Sequence, residues 1–169
     1  GQEIPVQGFG VFMVENNGPC EEAVTKALVA GCRLLDTAAA YFNETDVGKA
    51  IKSSGISREE IFVTSKLWLQ DYGYEAAKKG IDASLKKLGL DYMDLYLLHQ
   101  PYGDTAGAWK AMEEAVRAGK IKSIGVSNHT VKLLSNLIPE MEILPAVNQM
   151  ECNPFFQQKE LRKYMEQYG

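Results

Sequence analysis

Short apolar runs alternate with longer stretches of helical period along the chain. QGFGV (7–11), RLLDT (33–37), IFVTSK (61–66), MDLYLLH (93–99), KIKSIGVS (120–127) and PAVNQ (145–149) read as strands. Between them, residues 20–30 have helical spacing and stop at Gly31. Residues 43–54 follow with Asn43 as the expected cap and Gly55 as the stop. Ser57 and Glu60 have the spacing of a capping box on one short turn. Residues 73–88 form a long amphipathic helix ending near Gly89, and Asp104 opens another that runs through Ala118 to Gly119. Residues 129–138 make a short helix, and residues 155–169 a sixth, whose end is the end of the chain.

Strict alternation of apolar strand and helix predicts a parallel sheet covered by helices. Two arrangements satisfy it, an open doubly wound sheet and a (β/α)8 barrel of the TIM type. GFGVFM (8–13) carries two glycines of a dinucleotide fingerprint but lacks the third and does not lead into a helix, so it is rejected as one. Asp36, Lys66 and His99 each stand at the end of an apolar strand, and Tyr41 follows Asp36 closely. A barrel gathers the carboxyl ends of its strands at one mouth, so residues about thirty positions apart converge there. The fold class expected is therefore α/β, a single partial (β/α)8 barrel over 1–169 with about six βα units.

Composition narrows the function without naming it. The chain has 169 residues, 46% hydrophobic and 24% charged, as an ordinary globular domain has. A formal charge of −4 argues against nucleic acid as a partner. No apolar stretch is long enough to cross a bilayer, and no signal peptide is read at the start. Gly1 in place of an initiator Met is read as a processing boundary. The three cysteines, Cys20, Cys32 and Cys152, form no disulfide framework; reduced thiols and a cytoplasmic location are expected, with Cys32 as a small core residue. Neither His99 nor His129 has partners at metal-ligand spacing, and Ser127 lacks the context of a hydrolase nucleophile.

DTAAAYFNE (36–44), TSKLW (64–68), LYLLHQP (95–101), GKIKSIGVSN (119–128) and AVNQMECNPFF (146–156), in this order and spacing, resemble the aldo-keto reductases. The likeness is strongest to bacterial members that reduce diketogluconate, methylglyoxal and similar small carbonyls. It runs from about Pro5 to the end. The resemblance implies a barrel that binds an extended nicotinamide cofactor, NADPH or alternatively NADH, and transfers hydride to an aldehyde or ketone. It places the family's catalytic tetrad on Asp36, Tyr41, Lys66 and His99. It assigns carboxamide binding to Ser127, Asn128 and Gln149, puts Gly10, Val11 and Asp36 beside the cofactor, and puts Phe12, Trp68 and His99 beside the substrate.

The chemistry suits those residues. Negative charge grows on the carbonyl oxygen as hydride arrives, and a proton donor must be within reach. A phenol holds its proton at neutral pH, and a neighbouring ammonium is expected to make Tyr41 the better acid. Asp36 is expected to keep Lys66 charged, and His99 to orient the carbonyl by a hydrogen bond. Taken singly, each residue also has a plainer reading. Asp36 suits a loop hydrogen bond, Lys66 a solvated strand end, His99 a satisfied core position, and Ser127 with Asn128 a helix cap. Trp68 fits core or pocket, Gly10 relief of crowding, and Trp109 packing. Coincidence at successive strand ends favours the joint reading.

The family's last two βα units, its N-terminal hairpin strand and its C-terminal substrate loop have no counterpart in the sequence. Unpaired first and last strands are not expected to leave a stable monomer: the sequence is read first as part of a longer protein, with strands supplied by another chain through self-association, or a different fold near its ends, as the alternatives. The alternative to a reductase is a non-catalytic barrel module acting by binding or assembly, or an inactive fragment of a reductase.

Overall fold

The computed structural model describes residues 3–168. The chain starts with strand β1 (Gly8–Gly10) and helix α1 (Pro19–Val29), then β2 (Leu34–Asp36) and α2 (Glu44–Ser53). Next come β3 (Phe62–Leu67), α3 (Tyr74–Leu88), β4 (Met93–Leu98) and α4 (Thr105–Arg117). It ends with β5 (Ile121–Ser127), α5 (Val131–Leu137), β6 (Asn148–Gln149) and α6 (Lys159–Met165). The sheet order is β1-β2-β3-β4-β5-β6, and every neighbouring pair is parallel. A doubly wound sheet would reverse direction at a switch point. Six strands in sequence order are instead the singly wound part of a (β/α)8 barrel.

Register carries the chemistry to one end. Asp36 pairs with Thr64, Lys66 with Leu97, Leu98 with Val126, and Ser127 with Gln149. The ladder extends past the strands, since the N–H groups of Val11, Thr37, His99 and Asn128 donate to Asp36, Thr64, Leu67 and Gln149. The core lies between strands and helices, with Leu35, Val63, Leu67, Tyr96 and Val126 packed on Val24, Val47, Ile81, Trp109 and Leu134. Two close approaches require glycine. A Cβ on Gly48 of α2 would lie 2.1 Å from the carbonyl oxygen of Leu88, and one on Gly125 would lie 2.5 Å from that of Val147.

Several expectations are corrected. Asn43 flanks α2 but makes no capping bond, and neither does Ser57, although a 3₁₀ turn does follow it at Arg58–Glu60. Thr130, not Ser127 or Asn128, precedes α5. Strand β6 covers only Asn148–Gln149 of the expected 145–149, because Ile124 and Val126 reach residues 146 and 147 by single bonds. Helix α6 begins at Lys159 rather than at residue 155, since an Asn153–Phe156 turn precedes it and leaves Phe155 fully exposed. The expected end of that helix at Gly169, and the boundary at Gly1, lie outside the described residues. Cys32 is only half-buried, its thiol donating to Leu34, whereas Cys20 is the core cysteine. Gly10 has open space where a Cβ would be, so it relieves no crowding; that role falls to Gly8, against Leu34. Asp104 caps α4 as expected, accepting from Gly107 N–H at 2.9 Å. Trp109 is buried packing, with its indole N–H on the carbonyl of Ile143 at 3.1 Å.

Candidate active site

Lys66 lies near the carboxyl end of β3 and is 1% exposed. A buried ammonium is tolerated only when its donors are matched. Its Nζ donates to Asp36 Oδ1 at 2.5 Å, to the carbonyl of Thr37 at 3.0 Å and to Tyr41 Oη at 3.5 Å. Three donors thus meet three acceptors from β2 and the loop after it. That loop contains a 3₁₀ turn, Ala39–Tyr41, which sets the phenol over the end of β3. His99 follows β4 directly. Its ring stands edge-on to Tyr41, with centroids 5.6 Å apart, and to Trp68, with centroids 4.9 Å apart. Phe12 also packs on Tyr41, with ring centroids 5.0 Å apart.

Burial sets the protonation states. It pushes the Tyr41 phenol up to about 12, with the Asp36 carboxylate adding to the rise. Lost water and Asp36 set the net direction upward, with the Lys66 ammonium 3.5 Å from the phenol oxygen. Burial lowers Lys66, and Asp36 works against that. Burial, and then the charge of Lys66, bring His99 down to about 4, so its ring is neutral at pH 7. Its Nδ1 is buried and has no partner among the described residues.

Beside this group, the ends of β5 and β6 bring together three polar side chains. Ser127 Oγ donates to the carbonyl of Gln149 at 2.9 Å and accepts from Asn128 Nδ2 at 3.2 Å. Asn128 has φ 61°, a left-handed conformation that asparagine tolerates, and its Nδ2 also reaches the carbonyl of His99 at 3.1 Å. Gln149 Nε2 donates to Asp36 Oδ2 at 2.9 Å, so Asp36 joins the two groups. Gly10 ends β1 next to Asp36 and Val11 follows it with its N–H on the Asp36 carbonyl, Gly10 open and Val11 buried. The candidate site residues named from the sequence therefore stand at one end of the sheet. Hollows of about 710 Å³ beside Phe155–Phe156 and about 1290 Å³ along the edge of β1 contain none of the tetrad.

Sequence reasoning missed the polar supports. Thr37 and Asn43 are buried and bonded to each other at 2.8 Å. Tyr72 Oη donates to the carbonyl of Gln100 at 2.8 Å and accepts from its N–H at 3.1 Å, holding the loop after His99. The signal for Asn43 was present, a polar residue two positions after Tyr41, but it reads equally as a helix cap.

Comparisons with known proteins identify the family. The profile of the Aldo/keto reductase family matches residues 16–169. Glyoxal reductase of Bacillus subtilis is 49% identical over 173 residues, covering 100% of this chain and 62% of that protein. An aldo-keto reductase from a Medee basin deep-sea metagenome superposes with a TM-score of 0.95 at 44% identity, over 99% of this chain and 62% of that one. The Bombyx mori aldo-keto reductase, solved in complex with NADP, superposes with a TM-score of 0.90 at 35% identity, over 98% and 60%. The chain thus spans about three fifths of the length of these relatives. A profile match over residues 16–169, together with a relative 49% identical along the whole chain, makes this chain a member of the aldo/keto reductase family.

Proposed function

We propose that this chain carries the catalytic half-site of a nicotinamide-dependent carbonyl reductase acting on small aldehydes and ketones. The observation that carries the reading is the buried Lys66 ammonium, bonded at once to Asp36 and Tyr41. In this reading Tyr41 is the proton donor. Its phenol, pushed up to about 12, stays protonated at neutral pH and gives its proton to an oxygen that has gained negative charge. Lys66 favours the phenolate left behind, and Asp36 holds Lys66 in place. Neutral His99 orients the carbonyl, and Trp68 and Phe12 flank it.

The residues fit a nicotinamide. A carboxamide needs donors and acceptors side by side, which Ser127, Asn128 and Gln149 offer. An unpartnered buried nitrogen costs on the order of 1–3 kcal/mol, and a bound polar group near His99 Nδ1 would remove that cost. NADPH, with NADH as the alternative, supplies the hydride when bound. The named partner in Bombyx mori favours the phosphorylated form. We infer also that the free edges of β1 and β6 are where further strands pair, from a second copy or from additional chain.

NADPH oxidation with methylglyoxal or 4-nitrobenzaldehyde tests the reading. Wild type should turn over, and Tyr41→Phe and Lys66→Met should lose activity by at least about a hundredfold. Variants as active as wild type would refute the assigned roles. Tight binding of NADPH without turnover would support a non-catalytic module instead.

A further inference from the structure

Asn43 occupies a helix-cap position without capping the helix. It is 1% exposed, and its side chain turns away from α2. Its Oδ1 accepts from Thr37 Oγ1 at 2.8 Å, and its Nδ2 donates to the carbonyls of Val11 at 2.9 Å and Val14 at 3.1 Å. Val14 N–H also returns to the carbonyl of Val11, so residues 11–14 close a tight turn, with Met13 left-handed at φ 60°. The turn presents Phe12, 66% exposed, against the ring of Tyr41. Thr37, the third partner, uses its carbonyl to hold Lys66. One amide therefore joins the Phe12 turn, the Tyr41 loop and the seat of Lys66. Only an amide of this length has the two donors and one acceptor required; aspartate offers no donor, and alanine reaches nothing.

We propose that Asn43 is a positioning residue that fixes the Phe12 turn against Tyr41 and thereby sets the preference of the site for carbonyls with a flat aromatic group. The inference rests on the functional reading above and deepens it. Phe12 presents an exposed aromatic surface one ring away from the phenol. An aryl aldehyde has a face to lay on it; a small dicarbonyl has none. Rigid placement converts that surface into binding, because ring contacts need a defined offset or edge geometry. If residues 11–14 swing freely, the aryl substrate loses its contact while the small one loses little.

Steady-state kinetics with 4-nitrobenzaldehyde and methylglyoxal test this in wild type, Asn43→Ala, Asn43→Asp, Phe12→Ala and the Asn43→Ala/Phe12→Ala pair. The expected result is a rise in KM for the aryl aldehyde of roughly three- to tenfold relative to methylglyoxal, the worth of one aromatic contact. The double variant should show no larger ratio than Phe12→Ala alone. Equal losses on both substrates, or a double variant in which the ratios multiply, would overturn the proposal. Thr37→Val removes one partner of the amide while keeping its shape, and should give the same bias in smaller measure; no bias would count against the proposal. An activity-free readout separates this inference from the functional one. In ring-labelled protein, with the Tyr41 signal assigned through Tyr41→Phe, Asn43→Ala should lower the phenol's titration midpoint, because the cover that Phe12 provides is loosened. A midpoint unchanged from wild type refutes the clamp, whereas a wild type inactive on both aldehydes refutes only the reductase reading.

Discussion

Removing the Lys66 ammonium tests the electrostatic centre of the site most directly. Lys66→Met keeps most of the volume and deletes the charge. Breaking a buried ion pair by removing one member costs about 3–5 kcal/mol, because the remaining charge is left uncompensated. Asp36 is 21% exposed and still accepts from Gln149, so water and an amide take up part of its charge. The low end of the range applies, about 3 kcal/mol, with about 1 more for the carbonyl of Thr37 that loses its donor. Asp36→Asn in the Lys66→Met background removes the stranded charge, so the double variant should recover about 2 kcal/mol of the summed single losses. Urea unfolding followed by circular dichroism gives the four free energies, with equal slopes as the condition for comparing them. Effects that add to within about 0.5 kcal/mol would mean that the two side chains do not share a buried field, and the reasoning would fail.

Other consequences follow from the same structure. His99 is brought down to about 4, below the 6.5 of an unfolded histidine, so the unfolded chain takes up the extra proton first. Its contribution to stability should be intact above pH 6.5 and decline as pH falls towards 4, and urea midpoints of His99→Gln should show a shallower decline over that window. Turnover should likewise hold down to about pH 4.5 before His99 charges, and a steep loss centred near 6.5 would contradict a neutral buried ring. Gly48→Ala forces α2 off α3, because the Leu88 carbonyl is backbone and cannot rotate away; a loss of about 3 kcal/mol or more is expected by thermal melt. Trp109→Phe should cost about 1–3 kcal/mol through the orphaned carbonyl of Ile143 and the space left behind, and a neutral result would place that indole outside the core.

Strand-helix alternation, the order of elements and the residues at the strand ends are legible in the sequence. The reason is local. Parallel strands buried on both faces are written as apolar runs, and a charged or aromatic residue closing such a run is conspicuous at Asp36, Lys66 and His99. Family likeness then named a role for each. What the sequence left open was every question of partner choice. Asn43 and Ser57 have the chemistry of caps, yet Asn43 finds the carbonyls of Val11 and Val14, and Ser57 caps nothing. Those carbonyls lie about thirty residues away in the chain, and no local pattern encodes them. How much burial raises the Tyr41 phenol was hidden for the same reason. Sequence shows an ammonium nearby, but only packing reveals how much water the phenol has lost. Strand β6 shortened because only Asn148 and Gln149 pair in register with β5, and helix α6 because Asn153 closes a local turn on the N–H groups of Phe155 and Phe156. The fold chose among the partners that residue type permits, since a donor and an acceptor must also be brought within reach of each other.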